Sequence, residues 1–318
     1  MRFINALLSV LILSTNSVFA YELSSGLSRT SYDLEGGTLS VIEGGPKDGE
    51  PLLFIHGIPA SALLWENVLT EFINKGYRVY APDLPGYGQT EIDIRLNNAK
   101  HLFSLEGSAS LIHQWLEQQG IGPVWLVAHD IGGGVGQIFS AKYPESVNFL
   151  TLSNCIASDS WPIATISLLK TTAQLGLYDI FARIGGMEYG LSWYKLNQSV
   201  ANESFMNRQV ARDIFWNDKV YHEKGRAQFS EHLKAISPQQ LAKYDQQLKR
   251  LQMPTLLAWA KNDPNQPWEE SGKQLYSLIQ HAQIEFLPEA GHFFQLEKPT
   301  EYAQLLMRWR DSHNSINR

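Results

Sequence analysis

The stretch that most limits the fold of this 318-residue chain is residues 124–134, where a short apolar segment runs into a helical pattern. Residues 124–127 favour a β-strand, and the helical pattern begins after Asp130. Ala128 and Gly132 stand two positions before and after Asp130. Small residues there let a strand and a helix approach closely while the residue between them is held on strained backbone. The stretch therefore predicts a strand, a sharp turn that presents Asp130, and a helix.

An Asp at the start of a helix also has a simpler interpretation, as an N-cap whose carboxylate accepts backbone N–H bonds. The spacing nevertheless resembles the nucleophile elbow of the α/β-hydrolase superfamily, written small-x-nucleophile-x-small, with Asp130 where most members carry serine. Residues 129–133, His-Asp-x-Gly-Gly, are similar to the epoxide hydrolase and dehalogenase branch of that superfamily.

Around the elbow, short apolar runs alternate with helical patterns. The runs that read as strands buried on both faces are residues 52–55, 78–81, 124–127 and 149–152. Leu105, Ala109, Ile112 and Leu116 lie on one face of a helix that ends before Gly120. Such alternation implies right-handed crossovers and an α/β fold with a mostly parallel, doubly wound sheet. Ligands bind such sheets at the carboxyl ends of the strands, where the elbow lies.

Two loops before the elbow strengthen the resemblance. Residues 56–59 and 83–88 each follow a strand and are similar to the His-Gly-x-Pro and Asp-x-x-Gly-x-Gly loops of the superfamily. The resemblance implies that the backbone N–H groups of Ile58 and Ile131 form an oxyanion hole.

Two later positions complete the pattern. Residues 254–260 and 284–287 read as strands, and each is followed by a loop that carries a titratable residue, first Asp263 and then His292. Both match the acid and the histidine of the superfamily, in the chain order nucleophile, acid, histidine. Some relatives place the acid after the sixth strand, but Asn154 carries no charge and Asp159 lies too far along the loop. We therefore expect Asp263 to orient His292.

Residues 160–250 differ from the rest because they are rich in helix formers and aromatic residues and contain no comparable strand run. The segment resembles the helical cap that the superfamily inserts after its sixth strand. The predicted organisation is thus a signal peptide at residues 1–20, a hydrolase core at 21–159 and 251–318, and a cap at 160–250. Trp161 and His232 are the candidate cap residues of the site. His232 stands where related epoxide hydrolases carry a ring-opening Tyr, and it is either a proton-donating imidazolium or an exposed helix residue.

Residues 1–20 have the layout of a secretory signal peptide: Arg2, an apolar run at 6–13, and small residues near Ala20. We therefore expect export to the periplasm or medium of a bacterium. The single cysteine, Cys155, lies in an apolar stretch and is expected in the core. With a net charge of −6 and no Lys/Arg clusters, the chain has no electrostatic footprint for nucleic acid or for an anionic membrane, which leaves a small-molecule substrate. No pattern indicates an oligomeric state.

An aspartate nucleophile is suited to saturated carbon, since its attack on an epoxide or a carbon–halogen bond gives a stable alkyl ester. His292, oriented by Asp263, would then activate the water that hydrolyses this ester. The chemistry requires no metal or organic cofactor, and the sequence contains no metal-ligand cluster.

The sequence most favours an epoxide hydrolase-like enzyme acting on a small apolar substrate. Ile131 and Ile58 depart from the Trp and the polar residue with which haloalkane dehalogenases bind halide, and the Arg of fluoroacetate dehalogenases is missing. A dehalogenase or another ester or C–X hydrolase of this fold remains the first alternative. A non-catalytic binding protein is the second, although Asp130, Asp263 and His292 are all present.

Overall fold

The computed structural model describes residues 21–158 and 160–314. The predicted signal peptide at residues 1–20 lies outside the described residues, and so does Asp159. Within the described part, no helix combines the length and the apolar character needed to cross a lipid bilayer.

In the described part of the chain, nine strands form one central sheet. They are β1 (Leu27–Leu34), β2 (Gly37–Gly44), β3 (Pro51–Ile55), β4 (Arg78–Pro82), β5 (Glu91–Ile92), β6 (Val124–His129), β7 (Val147–Ser153), β8 (Thr255–Ala260) and β9 (Gln283–Leu287). Their order is β1-β2-β4-β3-β6-β7-β8-β9, and the short β5 pairs with β2. The strands from β4 to β9 in this order are parallel, whereas β1, β2 and β5 pair antiparallel. The predicted α/β class with a mostly parallel sheet is confirmed.

The apolar runs of the sequence do not include the antiparallel hairpin of β1 and β2. In β1, partly buried residues alternate with exposed ones, so no continuous apolar run marks it. In β2, the buried face includes Glu43, whose carboxylate pairs with the Arg78 guanidinium at 2.6 Å. A strand whose buried polar group has a partner elsewhere in the chain is invisible to a search for apolar runs.

Most of the helices connect successive strands along the chain. They are α1 (Glu66–Ile73), α2 (Leu105–Gln119), α3 (Ile131–Lys142), α4 (Ala164–Gln174), α5 (Tyr178–Arg183), α6 (Leu191–Gln198), α7 (Arg208–Val210), α8 (Glu223–Ala235), α9 (Gln239–Ala242), α10 (Asp245–Leu248), α11 (Lys273–Leu278), α12 (Phe294–Glu297) and α13 (Pro299–Asn314). Short 3-10 turns occupy Ala62–Trp65, Asn97–Phe103, Pro144–Ser146 and Glu203–Phe205, and π-helical segments occupy Ala211–Tyr221 and Trp268–Gly272.

Helix α2 shows how closely local sequence sets an element's ends. At its N-terminus the Ser104 hydroxyl accepts a hydrogen bond from the Gly107 amide at 3.0 Å. At its C-terminus Gly120 takes the left-handed conformation, with φ of 61°, that ends many helices. The predicted face of Leu105, Ala109, Ile112 and Leu116 is buried.

Helices α4 to α10 follow β7 and precede β8, and we call residues 164–248 the helical insertion. Side-chain hydrogen bonds such as the following three join it to the core. The Ser61 hydroxyl donates to the Ile214 carbonyl at 3.1 Å. The amides of Ile92 and Leu105 donate to the side-chain oxygens of Gln228 and Gln240 at 2.8 and 3.0 Å. The insertion is thereby held over the end of the sheet at which Asp130 lies.

Candidate active site

The turn between β6 and α3 holds Asp130 on strained backbone. Asp130 has φ of 55° and ψ of −125°, a conformation that side chains other than glycine rarely adopt. A Cβ at Gly132 would overlap the carbonyl oxygen of His56, so strand β3 and helix α3 approach each other only because glycine stands there. The Asp130 side chain makes no N-cap hydrogen bond to α3. The turn therefore presents the carboxylate to the site and does not use it as a helix cap.

Two backbone amides face this carboxylate. The N–H of Ile58 donates to Asp130 Oδ1 at 2.8 Å, and the amide of Ile131, the next residue in the chain, helps to lower the pKa of the carboxyl group. Burial alone would raise the pKa of Asp130, but His292 and the Ile131 amide outweigh it and hold the pKa below its ordinary value. The structure thus brings both predicted oxyanion-hole amides to the carboxylate.

The two motif loops are joined by one buried side chain. His56 Nε2 accepts a hydrogen bond from the Leu84 amide at 3.0 Å, so its Nδ1 carries the proton and donates to the Gly57 carbonyl at 3.0 Å. Burial lowers the pKa of His56 to about 4, and the ring stays neutral at pH 7. This neutral imidazole fixes the loop that directs the Ile58 amide at Asp130.

His292 lies between the two carboxylates. Its Nδ1 is 2.7 Å from Asp263 Oδ2, and its Nε2 is 3.6 Å from Asp130 Oδ2. The other Asp263 oxygen, Oδ1, accepts from the amides of Asn265 and Gln266 at 2.7 and 3.1 Å. The three residues matched in the sequence are therefore brought together in the order Asp263, His292, Asp130.

The charge of His292 follows from these neighbours. Burial alone would lower its pKa, but the Asp263 and Asp130 carboxylates outweigh burial and raise the pKa to about 10. In the resting protein His292 is therefore protonated at neutral pH, and it forms a buried ion triad with the two carboxylates.

This shift makes a prediction for the pH dependence of stability. Because the pKa of His292 is raised on folding, its contribution is complete below its unfolded-state pKa of about 6.5 and is lost as the pH rises toward 10. Urea unfolding of the wild type and of His292→Gln, measured from pH 6 to pH 10, should show a stability difference that is constant at first and then declines. A difference that stays constant up to pH 10 would contradict the ion triad.

Three further residues that the sequence did not single out anchor the His292 loop. The carbonyl of Ser199 accepts from the His292 amide at 2.7 Å. His129 Nε2 lies 3.0 Å from the His292 carbonyl. Asn154 Nδ2 donates to the Gly291 and His292 carbonyls at 3.5 Å, while its Oδ1 accepts from the Ala260 amide at 2.8 Å. Burial lowers the pKa of His129 to about 3, so it is a neutral donor to that carbonyl. These contacts join distant parts of the chain, and no local spacing announces them.

A cavity of about 60 Å³ opens in front of Asp130 and His292, with space for a few atoms of a ligand. The apolar residues of its lining include Ile58, Ile131, Ile156, Ile163, Ile166 and Leu169. Its polar lining includes Trp161, Thr165, Lys195, Ser199, Asn265 and Gln266. Both the core and the helical insertion contribute residues, so the site lies between the two.

The structure places the two cap candidates in different surroundings. Trp161 lines the cavity, is 6% exposed, and its indole Nε1 has no hydrogen-bond partner among the described residues. His232 is fully buried and is not among the described residues that line the cavity. Its Nδ1 is 2.9 Å from the Phe103 carbonyl, and its ring packs edge-on against Tyr87.

Both expectations for His232 are therefore wrong. It is not an exposed helix residue, because it packs between the insertion and the core. It is not a proton-donating imidazolium either, since burial lowers its pKa to about 3 and keeps the ring neutral.

The sequence pattern of the alpha/beta hydrolase fold family matches residues 50–299 of the chain. The chain is 25% identical to the monoacylglycerol lipase abhd6-B of Xenopus laevis, over 86% of this chain and 79% of that protein. Its fold is similar to that of the Cif epoxide hydrolase of Acinetobacter nosocomialis, with a TM-score of 0.72 and 19% identity over 91% of this chain and 90% of that one. The haloalkane dehalogenase DbeA of Bradyrhizobium elkani USDA94 gives a TM-score of 0.71 and 18% identity over 91% and 99% of the two chains.

The family match spans most of the chain, including the elbow, the acid and the histidine. The solved structures share less than 25% of their residues with it and support the fold. Together with the sheet order and the position of Asp130 between β6 and α3, they confirm the superfamily resemblance. The chain therefore belongs to the alpha/beta hydrolase fold family and is a hydrolase of this fold.

Proposed function

We propose that the protein hydrolyses a small epoxide through a covalent ester on Asp130. The observation that carries this proposal is a carboxylate at the elbow, with Oδ1 held by the Ile58 amide and Oδ2 directed toward His292. A carboxylate that attacked an ester carbonyl would form an anhydride that collapses backward. The same carboxylate attacking a saturated carbon forms a stable alkyl ester, so the residue at the elbow favours epoxides over esters.

In the first step, Asp130 Oδ2 attacks a ring carbon, and the bond from that carbon to the ring oxygen breaks. The departing oxygen takes up a proton from a water molecule, and the Asp130 carboxylate loses its negative charge as it becomes an ester. Loss of that charge removes one of the two anions that keep His292 protonated, so the pKa of His292 falls. His292 then releases its proton, which balances the one taken up by the oxygen.

In the second step, neutral His292 acts as general base toward a water molecule through Nε2, while Asp263 holds Nδ1–H. The water attacks the carbonyl carbon of the Asp130 ester. The amides of Ile58 and Ile131 stabilise the oxyanion that forms on Oδ1. Collapse of this intermediate breaks the bond from the carbonyl carbon to the former Oδ2, and the departing alkoxide takes the proton that His292 removed from the water, giving the diol. Asp130 then passes the proton of its new hydroxyl to His292, which restores the carboxylate and the imidazolium.

The departing oxygen needs a hydrogen-bond donor, and Trp161 is the residue we assign to it. Its indole N–H is buried, without a partner among the described residues, in the lining of the same cavity as Asp130. A buried donor without a partner costs free energy, which an oxygen of the substrate would recover. Residues 160–250, which include Trp161 and the helical insertion, would in this way act as a cap over a core of 21–159 and 251–318.

A dehalogenase is the second candidate, favoured by the same Asp nucleophile and by the unpartnered Trp161 indole. The two groups next to the nucleophile, Ile58 and Ile131, have apolar side chains that bind no halide. The test is a panel of matched substrates given to the purified protein: a terminal epoxide, a primary bromoalkane and a p-nitrophenyl ester of similar size. We expect the epoxide to have the highest kcat/KM. A higher kcat/KM for the bromoalkane would establish the dehalogenase instead.

We also propose that the protein is exported, on the strength of the signal-peptide layout of residues 1–20. Export predicts a mature N-terminus near Tyr21 in the periplasm or medium. N-terminal sequencing of material from those compartments tests it, and an intact Met1 on protein from the cytoplasm would refute it.

A further inference from the structure

One wall of the cavity has donors that the hydrolytic steps do not use. Helix α4 begins at this wall, and Ile163, Thr165 and Ile166 of its N-terminal end line the cavity. The first amides of a helix have no acceptor within the helix, and the α4 N-terminus has no side-chain cap. These amides, together with the helix dipole, make the wall attractive to a negative charge.

A buried hydroxyl in the same turn has no partner. Thr165 is 6% exposed, and its Oγ1 makes no hydrogen bond to a described residue. A buried hydroxyl left unpaired is costly in a folded protein, and it is usually explained by a ligand or by water. The unpaired Thr165 hydroxyl is therefore an observation, separate from the helix end, that points to a hydrogen-bonding ligand group at this wall.

A cation completes the wall. Lys195 of α6 lines the cavity and is partly buried, and α6 packs against α4. Its ammonium forms no ion pair with any carboxylate that the structure describes. The remaining charged residues of the lining, Asp130 and His292, already pair with each other.

We propose that the substrate of this site carries a carboxylate, bound by Lys195, the Thr165 hydroxyl and the first amides of α4. The inference rests on the proposed function, since it names the class of epoxide that the site takes. This epoxide is a short chain with its ring at Asp130 and its anionic group at this wall. The apolar residues between them accept the connecting carbons. The cavity of about 60 Å³ accommodates a short chain of this kind.

The first test measures binding without catalysis, using butanoate and its neutral near-isostere butanamide as probes in calorimetric titrations. The wild type should bind butanoate at least about tenfold more tightly, as expected for charge-assisted hydrogen bonds. Lys195→Gln and Thr165→Val should each remove most of this preference, whereas Lys195→Arg should retain it. Lys249→Gln, which changes an exposed lysine outside the cavity lining, is the matched control and should bind like the wild type.

Stability separates a binding role of Thr165 from a structural one. Because its hydroxyl has no partner, Thr165→Val should melt at the same temperature as the wild type or higher, while its butanoate affinity falls. A lower melting temperature together with unchanged butanoate affinity would overturn the assignment. Equal affinity of the wild type for butanoate and butanamide would overturn it as well. A bromide affinity that depends on Lys195 and Thr165 as strongly as butanoate affinity does would assign the wall to a leaving halide and also refute the proposal.

The second test uses 3,4-epoxybutanoate and 3,4-epoxybutanamide as substrates. We expect the ratio of their kcat/KM values to favour the anion at least tenfold and to fall about tenfold in Lys195→Gln, mainly through KM. Turnover of both epoxides without this preference would refute the carboxylate inference and leave the proposed function intact. Selective butanoate binding without turnover of any epoxide would support the carboxylate inference and refute the proposed function.

Discussion

Replacing His292 with glutamine is expected to stop the reaction after its first step and leave Asp130 as an alkyl ester. Glutamine cannot act as the base, so steady-state turnover should fall by about 10³-fold, within the usual range for loss of general base catalysis. The nucleophile itself keeps the Ile58 amide on Oδ1. The ester should therefore form and persist, and mass spectrometry should show an adduct of substrate mass on the peptide that contains Asp130.

The pH of this experiment matters, because His292 holds the pKa of Asp130 below its ordinary value. Without the imidazolium that pKa rises, and the reaction should be run near pH 8 to keep the carboxylate ionised. The double variant Asp130→Asn with His292→Gln is the control and should give no adduct. A His292→Gln protein that loses turnover but accumulates no ester would contradict the two-step scheme.

Replacing Asp130 with asparagine should abolish turnover, with a loss of at least about 10⁴-fold in kcat/KM. Asparagine is the matched substitution because it retains an acceptor for the Ile58 amide and tolerates the positive φ of 55° at the elbow. The change therefore removes the nucleophile while preserving the shape of the turn.

The kinetics of Asp130→Asn are measured with the same epoxide that the wild type turns over, and circular dichroism verifies that the variant is folded. No adduct should form at any time in the reaction. A folded Asp130→Asn protein that retained a tenth of the wild-type activity would show that Asp130 is not the nucleophile.

The elbow, the acid and the histidine were predictable from the sequence because each lies in the turn or loop that follows a strand. In a parallel sheet the carboxyl ends of strands meet at one edge, so local patterns at Asp130, Asp263 and His292 imply their proximity. In the structure, the ring nitrogens of His292 lie 2.7 Å from an Asp263 carboxylate oxygen and 3.6 Å from an Asp130 carboxylate oxygen.

What the sequence left open depends on packing between distant segments. The Ser199 carbonyl that holds the His292 amide lies in the helical insertion, far from His292 in the chain. His232 resembles an exposed or proton-donating residue on its helix, yet packing against Tyr87 buries it and burial keeps it neutral. The orientation of the insertion decides both outcomes, and no periodicity along the chain encodes that orientation.

The cavity wall at Thr165 and Lys195 is a further case of this kind. Both residues lie in amphipathic helical segments in which a threonine or a lysine is ordinary. Only the packing of α4 against α6 brings them into the lining of one cavity, without partners among the described groups.

The most direct test of the covalent mechanism is a single turnover of the wild type in water enriched in heavy oxygen. The enzyme is in excess over an epoxide that it is known to turn over. If Asp130 is the nucleophile, the new oxygen of the diol comes from its carboxylate. The first-turnover diol should then be unlabelled, and the solvent label should be found in the peptide that carries Asp130. Solvent label in the first-turnover diol, with an unlabelled Asp130 peptide, would show that water attacks the epoxide directly and would contradict the mechanism.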